Sequence, residues 1–212
     1  MKKLAERLEK ADIFSIQLEK EIDALWKYGV EKIADEKLRQ AIVGFLCSAV
    51  PLVFFTDHAS RSGRFHPPWQ NQKHGTLRSI IESCVLLPGL AQHFPELFNE
   101  DMEPKTEALD IAFAATIISD TWKKADAYDI HYGSRHGRIA AEYWQEYATK
   151  EGIDPALIKE IAHCSVWHHG IYAPDWEPGI ILSPLVRLVN LCDVVTSLTA
   201  LATIYNGKII VR

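Results

Sequence analysis

The sequence predicts an all-α chain, a helical bundle with a short C-terminal β tail. Apolar residues recur at three- and four-residue intervals over most of the length, the spacing of one buried helical face. Helix punctuation falls between these stretches, at Gly29, Pro51, Pro88-Gly89 and Gly152 to Pro155. At the tail, Asn206-Gly207 precedes the β-branched run Ile209-Ile210-Val211, which reads as a hairpin or edge strand.

Taken in order, Leu4, Leu8, Ala11, Leu18, Ile22, Leu25 and Trp26 mark N-terminal helix, and a second helix is expected from Asp35 to Val50. These residues, 1–50, are read as a helical layer packed on a main domain of residues 51–212. Leu52 to Phe55 fits either a buried helix end or a strand. The stretch from Thr56 to Lys73 is polar, with Gly63, Pro67 and Pro68, and a loop of that length is more often functional than idle. A helix is expected from Gly75 to Leu87, broken at Pro88-Gly89, and an apolar one from Lys105 to Asp120. The next should run from Ser134 to Lys150 with Ser134 as N-cap. Asp154-Pro155 then supplies an N-cap and a first-turn proline for a helix ending near His168-His169. The last should span Ser183 to Ile204.

Composition narrows the function classes. The 212 residues are 48% hydrophobic and 24% charged, ordinary for a globular chain, with a formal net charge of −5. An acidic chain is a poor candidate for a dedicated duplex binder, whose affinity needs a basic face. The opening Met-Lys-Lys-Leu-Ala-Glu-Arg lacks the apolar core of a signal peptide, and no apolar run reaches the roughly 18 residues of a membrane span. Four cysteines sit in apolar runs without C-x-x-C spacing. They read as buried free thiols in a reducing, cytoplasmic setting.

The chemistry concentrates at helix ends. Asp120 closes the apolar run Ala-Ala-Thr-Ile-Ile-Ser, with Lys123 three residues on. His136 falls in the first turn of the next helix. His168-His169 ends another, and Asp193 lies within the apolar run Leu-Val-Asn-Leu-Cys-Asp-Val-Val. Carboxylates and imidazoles buried among apolar helices are costly unless they bind something, and a divalent metal satisfies both types.

This order of residues resembles the HD superfamily of metal-dependent phosphohydrolases. Ile-Ser-Asp-Thr-Trp-Lys is similar to the family's Leu-His-Asp-x-x-Lys. Trp-His-His-Gly resembles the His-His step of binuclear members, and Asn-Leu-Cys-Asp-Val-Val resembles the closing helix with its metal-binding Asp. Asp-His-Ala-Ser followed by Phe-His-Pro-Pro is similar to the loop before the first ligand helix in some members. The likeness covers roughly Leu52 to Ala200. It implies an HD-like helical bundle and a metal set of His74, Asp120, His136, His168, His169 and Asp193, with Asp120 and Lys123 catalytic. Arg64, Arg78, Arg135 and Arg138 flank the set and could receive a phosphate.

Two departures stand out. Ser119 occupies the place of the family's doublet His. The first ligand His aligns with His74 in one register and with Ser79 in another, and in the second both histidines of the primary site are serine. A hydroxyl is a poor ligand for a transition metal beside neutral imidazole. Two functions are therefore carried forward. One is a phosphohydrolase using a divalent Mn, Fe, Co, Ni or Mg ion on a nucleotide, another phosphoester or a single-stranded nucleic-acid end. The other is a degenerate HD-like protein that binds a nucleotide or a protein partner without turnover.

Overall fold

The computed structural model describes residues 2–59, 66–101, 103, 105–123, 132–173 and 177–197. Within them lie eight α-helices: α1 Lys2–Lys10, α2 Ile16–Tyr28, α3 Glu36–Ser48, α4 Gly75–Ala91, α5 Thr106–Ser119, α6 Tyr132–Lys150, α7 Pro155–Trp167 and α8 Pro184–Ser197. The fold is all-α, with no strand among the described residues. The expected β tail and the end of the last helix lie outside those residues, as does Arg64. None of the described helices is long and apolar enough to cross a membrane.

α5 is the axis of the molecule. Every residue from Asp110 to Ser119 is buried, so the helix is covered all round rather than on one stripe. α4, α6, α7 and α8 pack around it. Asp110 is 4% exposed and its two oxygens accept from the Ala34 and Asp35 amides at 2.7 and 2.9 Å. Two backbone donors ahead of α3 are thereby satisfied inside the protein, which ties the N-terminal helices to the axis. Leu4, Leu8, Leu18 and Leu25 share one continuous core with Ile117 and Val189, so residues 1–50 are built into the same core as the rest.

Local chemistry sets most helix ends. Ser15 accepts from the Leu18 amide at 3.1 Å, Asp35 from Leu38 at 2.7 Å and Asp154 from Ala156 at 2.7 Å. Each cap satisfies an amide that has no partner within its helix. Three expectations need correction. The first helical region is two helices, parted where Asp12 takes a positive φ of 56° and Ser15 starts α2. α4 does not stop before Pro88 but runs on to Ala91, because a proline in the last turn removes one hydrogen bond near an end that fewer would follow. α6 starts at Tyr132, so Ser134 lies inside it and is not its N-cap. The Leu52–Phe55 segment is a 3-10 turn.

Candidate metal centre

Four helix ends and faces meet at Asp120. The residue closes α5, is 3% exposed, and sends its two oxygens to opposite sides. Oδ2 accepts from Lys123 Nζ at 3.0 Å. Oδ1 lies 2.7 Å from His136 Nε2 and 3.6 Å from His168 Nε2. The 2.7 Å separation is an ion-pair distance, and Oδ1 is buried without a well-formed hydrogen bond.

The two imidazoles approach each other as well, Nε2 to Nε2, at 3.1 Å. His168 Nδ1 stands 2.6 Å from the Ser165 carbonyl, which can only accept, so Nδ1 carries the hydrogen and Nε2 is left as a lone pair in the neutral ring. Ser165 in turn donates its hydroxyl to the Gly137 carbonyl at 3.0 Å, and Asn190 donates to the His168 carbonyl at 2.7 Å. Such outer contacts fix ring orientation in metal sites. Gly137 is required here: a Cβ would stand 2.4 Å from the Ser165 carbonyl and 2.7 Å from the His168 ring. The absent side chain lets α6 and α7 close around the histidines.

Asp120, His136, His168 and His169 each offer one ligand atom, and these atoms lie within 4.8 Å of one another. Ligand atoms bonded at about 2.0–2.2 Å to one central ion stand at most about 4.4 Å apart, so the widest of these separations closes by a few tenths of an ångström when an ion is bound. The orphaned Oδ1, the lone pair held at His168 Nε2 and the tight α6–α7 crossing all fit such an ion. This buried group could hold a metal.

The electrostatics favour ligation at Asp120, His136 and His169. Burial works against charge on Asp120, but Lys123 and then His136 and His168 outweigh it, holding the carboxyl well below the usual carboxylate range. Burial pushes His136 down. It pushes His169 far down, helped by the neighbouring imidazoles, so both rings are neutral and able to ligate. His168 goes the other way: burial opposes its charge, but Asp120 and then Asp193 raise it. Lys123 is raised too, because Asp120 and Asp193 overcome its burial.

Asp120 also borders quite different surroundings. Ser79, Ser83, Thr116 and Ser119 line a small cavity with Asp120 and Asp193, closed by Ile80 and Val189. Thr116 Oγ1 is buried there without a partner. Asp193 therefore lies beside Asp120 but outside the four-residue group, and Ser79 and Ser119 line the same cavity from α4 and α5.

His74 is not among the grouped ligands. It caps α4 with φ 68° and its Nδ1 lies 2.6 Å from the Phe55 carbonyl, which turns its ring into the loop. The loop must pass close there, since a Cβ on Gly75 would stand 1.6 Å from the Gln70 carbonyl oxygen. Arg78 is engaged elsewhere, bonding Glu21 at 2.7 Å and the Trp69 carbonyl at 2.9 Å, and so ties α2 to α4. Arg135 and Arg138 are exposed on α6. His163 is also exposed. The residues that sequence reasoning passed over are Thr116, Gln70 and Glu82, polar positions whose burial depends on tertiary packing.

The cysteines are free, three of them buried. Burial, and then Asp193, pushes the Cys192 thiol up to about 12, so it stays protonated. No family model matches the chain, and neither a curated protein nor a solved structure matches it.

Proposed function

We propose that the chain is an HD-like metal-dependent phosphohydrolase of small phosphorylated ligands, with its ion held by Asp120, His136, His168 and His169. The observation that carries this reading is the buried, inward-facing group of three imidazoles and one carboxylate, with Oδ1 left unsatisfied. A donor set rich in neutral imidazole favours Mn, Fe, Co or Ni over Mg, which prefers all-oxygen surroundings. When bound, a divalent ion there supplies Lewis-acid polarisation of a phosphoryl oxygen and a supply of hydroxide near neutral pH.

The protein's own part can be derived residue by residue. Asp120 keeps its negative charge at neutral pH and presents Oδ1 to the imidazoles. Lys123 neutralises Oδ2 and keeps a positive charge beside Asp193, where it can receive an anionic phosphoryl oxygen. Ser165 holds His168 in the Nδ1–H form. The clustering of Ser79, Ser119, Asp120 and Asp193 around one cavity supports the register in which two histidines of the family's primary site are serine. Hydroxyls and a resident ammonium fit a transition metal badly, so one ion per chain is the expected stoichiometry.

Purified protein loaded in turn with Mn²⁺, Co²⁺, Ni²⁺, Fe²⁺ and Mg²⁺ tests the reading against nucleoside phosphates and a generic phosphoester. One tightly bound ion and turnover lost in Asp120→Ala are expected. Absence of any bound ion in elemental analysis sinks the metal reading. A second reading, a nucleotide binder without turnover, draws on the hydroxyl-lined cavity. It predicts thermal stabilisation by nucleotide that a chelator does not remove.

A further inference from the structure

The loop ahead of α4 buries one more imidazole, His66, whose partner Gln70 bonds Thr196, and Thr196 in turn bonds Ser83 of the cavity wall. His66 is 5% exposed, and its Nδ1 lies 2.7 Å from Gln70 Oε1. Gln70 is fully buried, and its Nε2 donates to Glu82 Oε2 at 2.6 Å and to the Thr196 carbonyl at 3.2 Å. A backbone carbonyl can only accept, so the amide nitrogen faces Thr196 and the amide oxygen faces His66. The hydrogen between Gln70 and His66 therefore belongs to His66 Nδ1. The other carboxylate oxygen of Glu82 accepts from Trp69 Nε1 at 2.8 Å, which holds the far end of the relay. Asn71 Nδ2 donates to the His66 carbonyl at 2.6 Å and fixes its backbone.

With Nδ1 protonated, the neutral ring has its lone pair on Nε2, for which no hydrogen-bond partner exists among the described residues. Lys123, Asp120 and Asp193 all lie within electrostatic reach of the ring. Burial first, and then Lys123, pushes the imidazole toward the neutral form. An acceptor nitrogen within electrostatic reach of the Lys123 ammonium matches a ligand carrying both a protonated oxygen and an anionic one. A phosphomonoester offers both as its monoanion, the form that its second ionisation near pH 6 leaves present at mildly acid pH. A phosphodiester has no P–OH to donate.

We propose that His66 reads the ligand of this site, its Nε2 accepting a hydrogen bond from a P–OH so that monoesters are preferred over diesters, with Gln70 and Glu82 as positioning residues. The inference rests on the phosphoryl-ligand reading above.

The test uses the full chain, with inorganic phosphate and dimethyl phosphate as probes. Nitrogen-15 NMR of histidine-labelled protein should show His66 as the Nδ1–H form, and phosphate should shift its Nε2 signal. Phosphate should bind at least about tenfold more tightly than dimethyl phosphate, the worth of one hydrogen bond in which a partner is charged. His66→Phe should remove that preference. Gln70→Leu, which keeps the imidazole but frees its tautomer, should reduce the preference if the Phe variant fails to fold. An Nε2–H tautomer overturns the inference, as does binding of neither probe or a preference that both variants retain. Metal uptake together with a probe preference that does not depend on His66 overturns this inference alone. A His66-dependent preference in protein that takes up no metal overturns the metal reading alone.

Discussion

Asp120 separates two half-sites that share one carboxylate and differ in almost everything else. On the Oδ1 side stand His136, His168 and His169, nitrogen donors on rigid helix ends, with at least one lone pair fixed by an outer hydrogen bond. Oδ2 accepts from Lys123, and Asp120 also borders a cavity lined by Ser79, Ser83, Thr116 and Ser119. The first half has a carboxylate oxygen without a well-formed hydrogen bond among imidazoles, and could hold a cation. The second already has one, the Lys123 ammonium. One carboxylate thus borders both a group that could hold an ion and a hydroxyl-lined hollow poorly suited to one, because donor type decides metal affinity.

The contrast breaks most sharply at the shared residue. Asp120→Ala should abolish metal binding by calorimetry. It should also destabilise the metal-free protein by about 3–5 kcal/mol in denaturant titration, since a buried Lys123 is left without its partner. Within the histidine half, His168→Ala or His169→Ala should lower metal affinity by about 100-fold or more. Gly137→Ala tests the scaffold of that half: the added methyl meets a carbonyl and the His168 ring, so a stability loss of about 1–3 kcal/mol should accompany weaker metal binding.

A pH titration of the metal-free protein separates the imidazoles by sign. His136 and His169 are depressed in the folded state, as is His66, so the unfolded chain binds more protons once pH falls below about 6.5. Their stabilisation is present above that pH and is lost on acidification. His168 is raised, so its contribution is present below about 6.5 and lost as pH rises through its folded value. Three depressed groups against one raised group give a net fall in stability on acidification, measurable as a shift in the denaturant midpoint between pH 7 and pH 5. The smallest effect belongs to the hydroxyl half. Ser79→Ala and Ser119→Ala should leave metal affinity within about twofold. A large loss in either would mean that the hydroxyls ligate the ion after all.

Much of the histidine half was legible in the sequence because its residues break a pattern. Asp120, His136 and His168-His169 stand at the ends of strongly periodic apolar helices, where a polar side chain needs a reason. Asp193 was legible in the same way, as a carboxylate on an apolar face, but its side of Asp120 was not, since that depends on how α8 rotates against α5. His74 was misleading: its left-handed backbone and its bond to the Phe55 carbonyl follow from the path of the loop, which no periodicity encodes. Arg78 resembles a free phosphate ligand until Glu21, 57 positions earlier, is folded against it. The relay through Gln70 and Glu82 was invisible for the same reason. Its members are ordinary surface types that only tertiary packing buries. The helices themselves followed from spacing and caps, with errors at ends such as Pro88, where position within the turn decides the outcome, and at the break that Asp12 makes between α1 and α2.

The most direct test of the account is a crystal structure of Mn²⁺- or Co²⁺-loaded protein with anomalous scattering measured at the metal edge. The account predicts one peak per chain, bounded by Asp120, His136, His168 and His169. A peak in the cavity of Ser79, Ser119 and Asp193, or no peak at all, would contradict it.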